Sequence, residues 1–111
     1  MAVNKELLKG TTSTLVLQLV ARKKMYGYEI IKDLEILSGG LFEFKEGTLY
    51  PILHNLDGMG LVKSEWVGDE GTRQRKYYLI TKKGRMQLKE KKEAWIEFSQ
   101  TVDKIFLSKE A

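Results

Sequence analysis

The 111-residue chain contains no cysteine, one proline and one histidine. Without cysteine there is no disulfide framework and no thiolate metal site, which suits a reducing compartment. A lone histidine leaves no His cluster for a metal, and no Ser-His-Asp spacing surrounds it, so catalytic and metal-bound readings find no support. The sequence Gly68-Asp69-Glu70-Gly71-Thr72 is too short for a phosphate-binding loop and lacks its lysine, and no G-x-G-x-x-G follows a strand. Long apolar runs are also missing. Nothing approaches the eighteen or so residues of a membrane span, and the polar opening Met1-Ala2-Val3-Asn4-Lys5-Glu6 lacks the apolar core of a signal peptide. The expectation is a soluble, cytoplasmic protein that is not an enzyme and carries no cofactor or metal.

At 42% hydrophobic residues, a chain of this length holds one modest core and is read as one domain. Its net charge of +4 permits nucleic-acid binding without requiring it. Residues 1–81 carry a balance of only +1 and residues 82–111 a balance of +3, so any case for DNA rests on where particular cations sit.

The run from Glu46 to Val62 organises the rest. Leu49, Ile52, Leu53 and Leu56 fall at i, i+3, i+4 and i+7, which writes one helix face for a core. The opposite face carries Gly47, Pro51, His54, Asn55 and Gly58, flanked by Thr48, Tyr50 and Asp57. A solvated helix usually shows Lys and Glu there. Small and hydrogen-bonding residues instead suit close approach to another surface, as in a DNA groove, although a half-exposed helix without a partner has the same pattern. Pro51 is expected in the first turn, which places the helix start between Glu46 and Thr48 with Thr48 as the cap. Gly58 and Gly60 are expected to form the left-handed stop.

Upstream, residues 4–24 read as one helix capped by Asn4, with Leu7, Leu8, Leu15, Val16, Leu19 and Val20 apolar; Leu7 and Leu8 are candidates for exposure at a subunit interface. A second helix is expected over 28–37, ended by Ser38-Gly39-Gly40, and Leu41-Phe42-Glu43-Phe44 reads as a short strand or an extended connector. Downstream, 61–67 and 75–80 are rich in β-formers and are joined by a polar, glycine-containing tip, which predicts a hairpin with Arg73, Arg75 and Lys76 at or near its end. Thr81 then caps a helix expected over 82–107, whose Leu88, Trp95, Phe98, Val102 and Ile105 keep an a/d spacing, widened by Ile96 and Phe106. That helix is longer than the core can cover. Its stripe predicts pairing with a second copy, unless it folds back on its own domain.

Three motifs carry a family resemblance: Tyr26-Gly27-Tyr28-Glu29-Ile30, then Gly47-Thr48-Leu49-Tyr50-Pro51 with Leu53, Leu56 and Gly60-Leu61-Val62, then Arg75-Lys76-Tyr77-Tyr78-Leu79-Ile80-Thr81-Lys82-Lys83-Gly84. In this order and spacing they resemble the PadR family of bacterial winged-helix transcriptional regulators, and the single C-terminal helix is similar to its smaller subfamily. The fold class expected is mainly α with a small β-hairpin: a winged helix-turn-helix over 1–81 and a C-terminal dimerisation helix over 82–111, forming one structural domain. The resemblance implies a homodimeric repressor on a palindromic operator in double-stranded DNA, with Thr48, Tyr50, Pro51, His54 and Asn55 towards the groove and Lys5, Lys9, Arg73, Arg75 and Lys76 towards the backbone. Trp95 is a candidate wall for a small aromatic effector at the dimer centre, or a plug in the interface. A winged-helix module for small molecules or protein partners, without specific DNA binding, stays open as the alternative.

Overall fold

In the computed structural model of the chain, residues 10–109 are described. They form helices α1 (Thr12–Arg22), α2 (Gly27–Leu37), α3 (Glu46–Gly58) and α4 (Lys82–Phe106), with strands β1 (Met25–Tyr26), β2 (Val62–Val67) and β3 (Arg75–Ile80). The strands make an antiparallel sheet in the order β1-β3-β2. This is a winged helix: three packed helices, a hairpin, and a terminal helix.

α1 lies at the centre because its apolar residues face several ways. Val16, Leu17, Leu19 and Val20 are all buried, and they share a core with Ile30 and Leu34 of α2, Leu49, Leu53 and Leu56 of α3, and Tyr78 and Ile80 of β3. The helix begins at Thr12, later than expected, because Gly10 sits at φ 87 and breaks the regular geometry. Asn4, Lys5, Leu7, Leu8 and Lys9 lie outside the described residues.

β1 was not foreseen. Met25 and Tyr26 pair with Tyr78 and Tyr77 and convert the expected hairpin into a three-stranded sheet. The segment Leu41–Phe44 is a connector without strand pairing. Phe42 and Phe44 both turn inward with Glu43 exposed between them, as alternation along an extended chain requires; their rings are 6.4 Å apart, and the Phe42 amide donates to the Ser38 hydroxyl.

α3 starts at Glu46 with Lys45 in the cap position, and Thr48 lies within the first turn instead of capping it. Pro51 is therefore the sixth helical residue, in the second turn. It leaves the Gly47 carbonyl without its helical donor, but both residues are exposed and water can replace that bond. Gly58 stays helical; Gly60, at φ 75, makes the left-handed stop alone.

Thr81 caps α4 as its position predicts, with its hydroxyl oxygen accepting from the Gly84 amide at 2.9 Å. Only Gly84 and Leu88 of this helix are buried. Twenty-five residues at about 1.5 Å each make a rod of about 37 Å, which explains a molecule 66 Å long but only 32 and 20 Å across.

Candidate nucleic-acid interface

α3 presents its outer face intact. Leu49, Leu53 and Leu56 take the buried side, and Gly47, Thr48, Tyr50, Pro51, His54, Asn55, Asp57 and Gly58 are all exposed on the other. Thr48, Pro51, His54 and Asn55 project from the bare surface. Tyr50 differs, since the end of its ring lies against the backbone of Gly27 at the start of α2. Burial, and after it the neighbouring Glu46 and Tyr78, hold the Tyr50 phenol above its ordinary pKa, so it stays a neutral hydroxyl.

The hairpin stands beside this helix because α3 runs into β2 through Gly60 and Leu61. Its tip is tied by Thr72, whose amide and hydroxyl both donate to the Asp69 carbonyl, at 3.0 and 2.6 Å. Arg73 is exposed in that turn. Arg75 and Lys76 emerge on opposite faces of the sheet, since side chains alternate along a strand. The Arg75 guanidinium lies 4.6 Å from the centre of the Tyr26 ring, and the Lys76 ammonium 5.6 Å from that of Tyr78. These ring contacts draw the two cations at the outer end of the strands back along the sheet, while Arg73 stands beyond the last strand pair. Below them, Lys24 forms an ion pair with Glu65 at 2.8 Å, and the hydrogen bond to Glu65 is the main reason that its pKa is raised.

Trp66 escaped the reading of the sequence, where it counted only as a β-former. It is 65% exposed on the wing, directly opposite Lys76. An apolar ring of that size left in water at the end of a hairpin is the kind of signal that points to a surface contact.

The apolar stripe expected on α4 is divided. Leu88 is taken up by the chain's own core, because the first turns of α4 pack on α1. Trp95, Phe98, Ile105 and Phe106 remain exposed and Val102 is half-buried; the rings of Trp95 and Phe98 lie 6.3 Å apart. Among the described residues no helix is long and apolar enough to cross a membrane.

Taken together, the fold defines a winged helix-turn-helix protein with a long terminal helix that packs on the core only through its first turns. Residues 16–90 match the model of the transcriptional regulator PadR-like family, and the chain belongs to that family, whose members are transcriptional regulators and not enzymes. A transcriptional regulator from Clostridium thermocellum is similar in structure, with a TM-score of 0.82 and 36% identity, over 93% of this chain and 99% of that one. A PadR-like transcriptional regulator from Bacillus cereus gives a TM-score of 0.82 at 30% identity, over 94% and 99%. An uncharacterised protein of Lysinibacillus sphaericus is 31% identical over 91% of this chain and 93% of its own length.

Proposed function

We propose that the chain represses transcription as a homodimer, placing two copies of α3 in successive major grooves of a palindromic operator with the wings beside them. The observation that carries this reading is the exposed face of α3: small and hydrogen-bonding residues, with the acidic Glu46 and Asp57 towards its edge, next to a hairpin whose tip and second strand carry Arg73, Arg75 and Lys76. Thr48, Tyr50, Pro51, His54 and Asn55 belong to the groove face. Arg73, Arg75 and Lys76, together with Lys5 and Lys9, supply contacts to phosphates. In this division residues 1–81 read DNA and residues 82–111 pair the subunits in the cytoplasm. Leu7 and Leu8 belong with Trp95, Phe98, Val102, Ile105 and Phe106 at the interface. Dimerisation through that stripe spaces the two α3 helices by one turn of DNA, about 34 Å.

A second role is favoured by the Trp95 and Phe98 rings, which are both exposed on one face of α4. Across the dimer axis they suit a flat aromatic effector whose binding releases the operator. A winged-helix module for small molecules or protein partners, without specific DNA binding, is the competing reading.

Binding to a duplex from upstream of the chain's own gene, titrated against salt, separates the two. Arg73→Ala is expected to weaken operator and random DNA alike and to reduce the salt slope by about 0.9, the value of one phosphate contact. His54→Ala is expected to lower discrimination between the two by a factor equivalent to about 1–3 kcal/mol. Equal losses on both duplexes for both variants, or no salt dependence, would rule out the DNA reading.

A further inference from the structure

The first residue of α2 is a glycine whose backbone needs no special conformation: its φ lies outside the left-handed region, and a helix start accepts alanine. The reason for glycine is steric. A Cβ added to Gly27 would stand 2.7 Å from the Tyr50 hydroxyl oxygen, 3.0 Å from Cζ and 3.3 Å from Cε1. Gly27 is itself buried although it opens a helix, because the Tyr50 ring covers it. This contact lies outside the core that joins the two helices through Ile30, Leu34, Leu49 and Leu53. Ile30 and Leu49 lie in the first turns of the same two helices, so the Tyr50 ring adds a second contact, on the solvent side, where these helix ends meet.

We infer that Tyr50 is a positioning residue: seated on Gly27, it fixes the angle of α3 against α2, and its part in DNA selectivity comes through that angle and not through its hydroxyl. The effect on selectivity rests on the DNA-binding reading; the steric seat does not. At the start of α2 the Tyr26 amide donates to the Glu29 carboxylate at 3.2 Å, so the seat belongs to an ordered helix end that cannot easily yield.

The experiment uses the full chain and the variants Gly27→Ala, Tyr50→Phe, Tyr50→Ala and their combinations. Thermal unfolding tests the seat. Gly27→Ala should lower Tm by about 5 °C or more when Tyr50 is present, and should leave it unchanged or raise it in the Tyr50→Ala background. Equal shifts in both backgrounds would overturn the seat. If Gly27→Ala alone fails to fold, the combination with Tyr50→Ala must fold, and its failure would count equally against the inference.

Selectivity is read as the affinity ratio between a duplex of the upstream DNA and a scrambled duplex of the same length. Tyr50→Phe keeps the ring and should stay within about two-fold of the parent, whereas Gly27→Ala should lose about ten-fold. Gly27→Ala/Tyr50→Phe, freed of the 2.7 Å overlap, should fall between them. A loss in Tyr50→Phe as large as that in Gly27→Ala would assign the role to the hydroxyl and overturn positioning, with DNA binding itself untouched. Failure of the parent protein to discriminate the duplexes would remove the selectivity half together with the DNA reading, leaving the seat to stand or fall on Tm.

Discussion

Replacing Thr81 by alanine should cost more than a surface cap normally does. The hydroxyl oxygen accepts from the Gly84 amide at 2.9 Å, and its proton is shared between the carbonyls of Gly60 at 2.7 Å and Leu61 at 3.1 Å. Loss of the cap alone is worth about 1 kcal/mol. The donated bond adds about 0.5–1 kcal/mol, at the lower end because Gly60 is exposed and water can replace the donor. The total of about 1.5–2 kcal/mol corresponds to a fall in Tm of about 6–15 °C for a domain of this size. Urea unfolding followed by circular dichroism, at one fixed protein concentration because self-association shifts apparent stability, reads the change as a midpoint displacement at constant slope. Thr81→Ser keeps both bonds and should remain within about 0.5 kcal/mol of the parent, while Thr81→Val keeps the shape and should behave like alanine. A Thr81→Ala protein within about 0.5 kcal/mol of the parent, or a serine variant no better than the alanine one, would refute this account of how α4 is joined to the end of α3.

Gly84→Ala should destabilise by about 3 kcal/mol or more, since the added Cβ would overlap the Leu61 carbonyl oxygen, a backbone atom that cannot move aside. The contrasting Gly58→Ala meets nothing within 4 Å and should gain up to about 1 kcal/mol in the same urea assay, so similar outcomes at the two sites would contradict the packing described. Phe98→Glu places a charge in the exposed stripe of α4 and should convert a dimer to a monomer in sedimentation; an unchanged mass would move the interface elsewhere. Burial, as the first cause in both, raises the phenols of Tyr50 and Tyr78 above the ordinary tyrosine value of 10.0. Above that pH the unfolded chain gives up these protons first, so stability should fall as pH rises and level once the folded phenols ionise. Tyr50→Phe should blunt the fall, and a stability curve flat above pH 10.0 would show that the two rings are not held as described.

What could be seen in the sequence was whatever repeats within a turn or two of helix. The stripe Leu49, Ile52, Leu53 and Leu56 set the buried side of α3, and a threonine before a long polar-apolar pattern set the start of α4. Features made by partners far apart in the chain stayed hidden. Met25 and Tyr26 are too few for any periodicity, and they become a strand only because Tyr77 and Tyr78 arrive about fifty residues later. Leu88 continued the a/d spacing of Trp95 and Phe98, but spacing cannot tell which end of a helix the chain's own core will claim. The same holds at the candidate interface. Exposure of Thr48, His54 and Asn55 followed from the helix period, whereas the contact between Tyr50 and Gly27 joins residues of two helices and has no local signature.

The junction between α3 and α4 explains how a change at one end of the molecule would reach the other. Three contacts converge within a few residues of the end of α3: Thr81 on Gly60 and Leu61, the Lys83 ammonium on the Met59 carbonyl at 3.0 Å, and Gly84 packed on Leu61. α4 and α3 are therefore clamped to each other at the base of the rod, while the other end of α4 carries the exposed stripe. In the proposed dimer, a tilt of about 5° in α4 acts over its length of about 37 Å and displaces the reading head by about 3 Å. That is a large error when two heads must match one turn of DNA, so a ligand lodged between paired Trp95 rings needs only a small wedge to lower affinity. Distances between spin labels placed on α3 of both protomers, with and without a flat aromatic compound, measure this displacement. A ligand that weakens DNA binding while leaving that distance unchanged would exclude the lever and require a direct effect on α3.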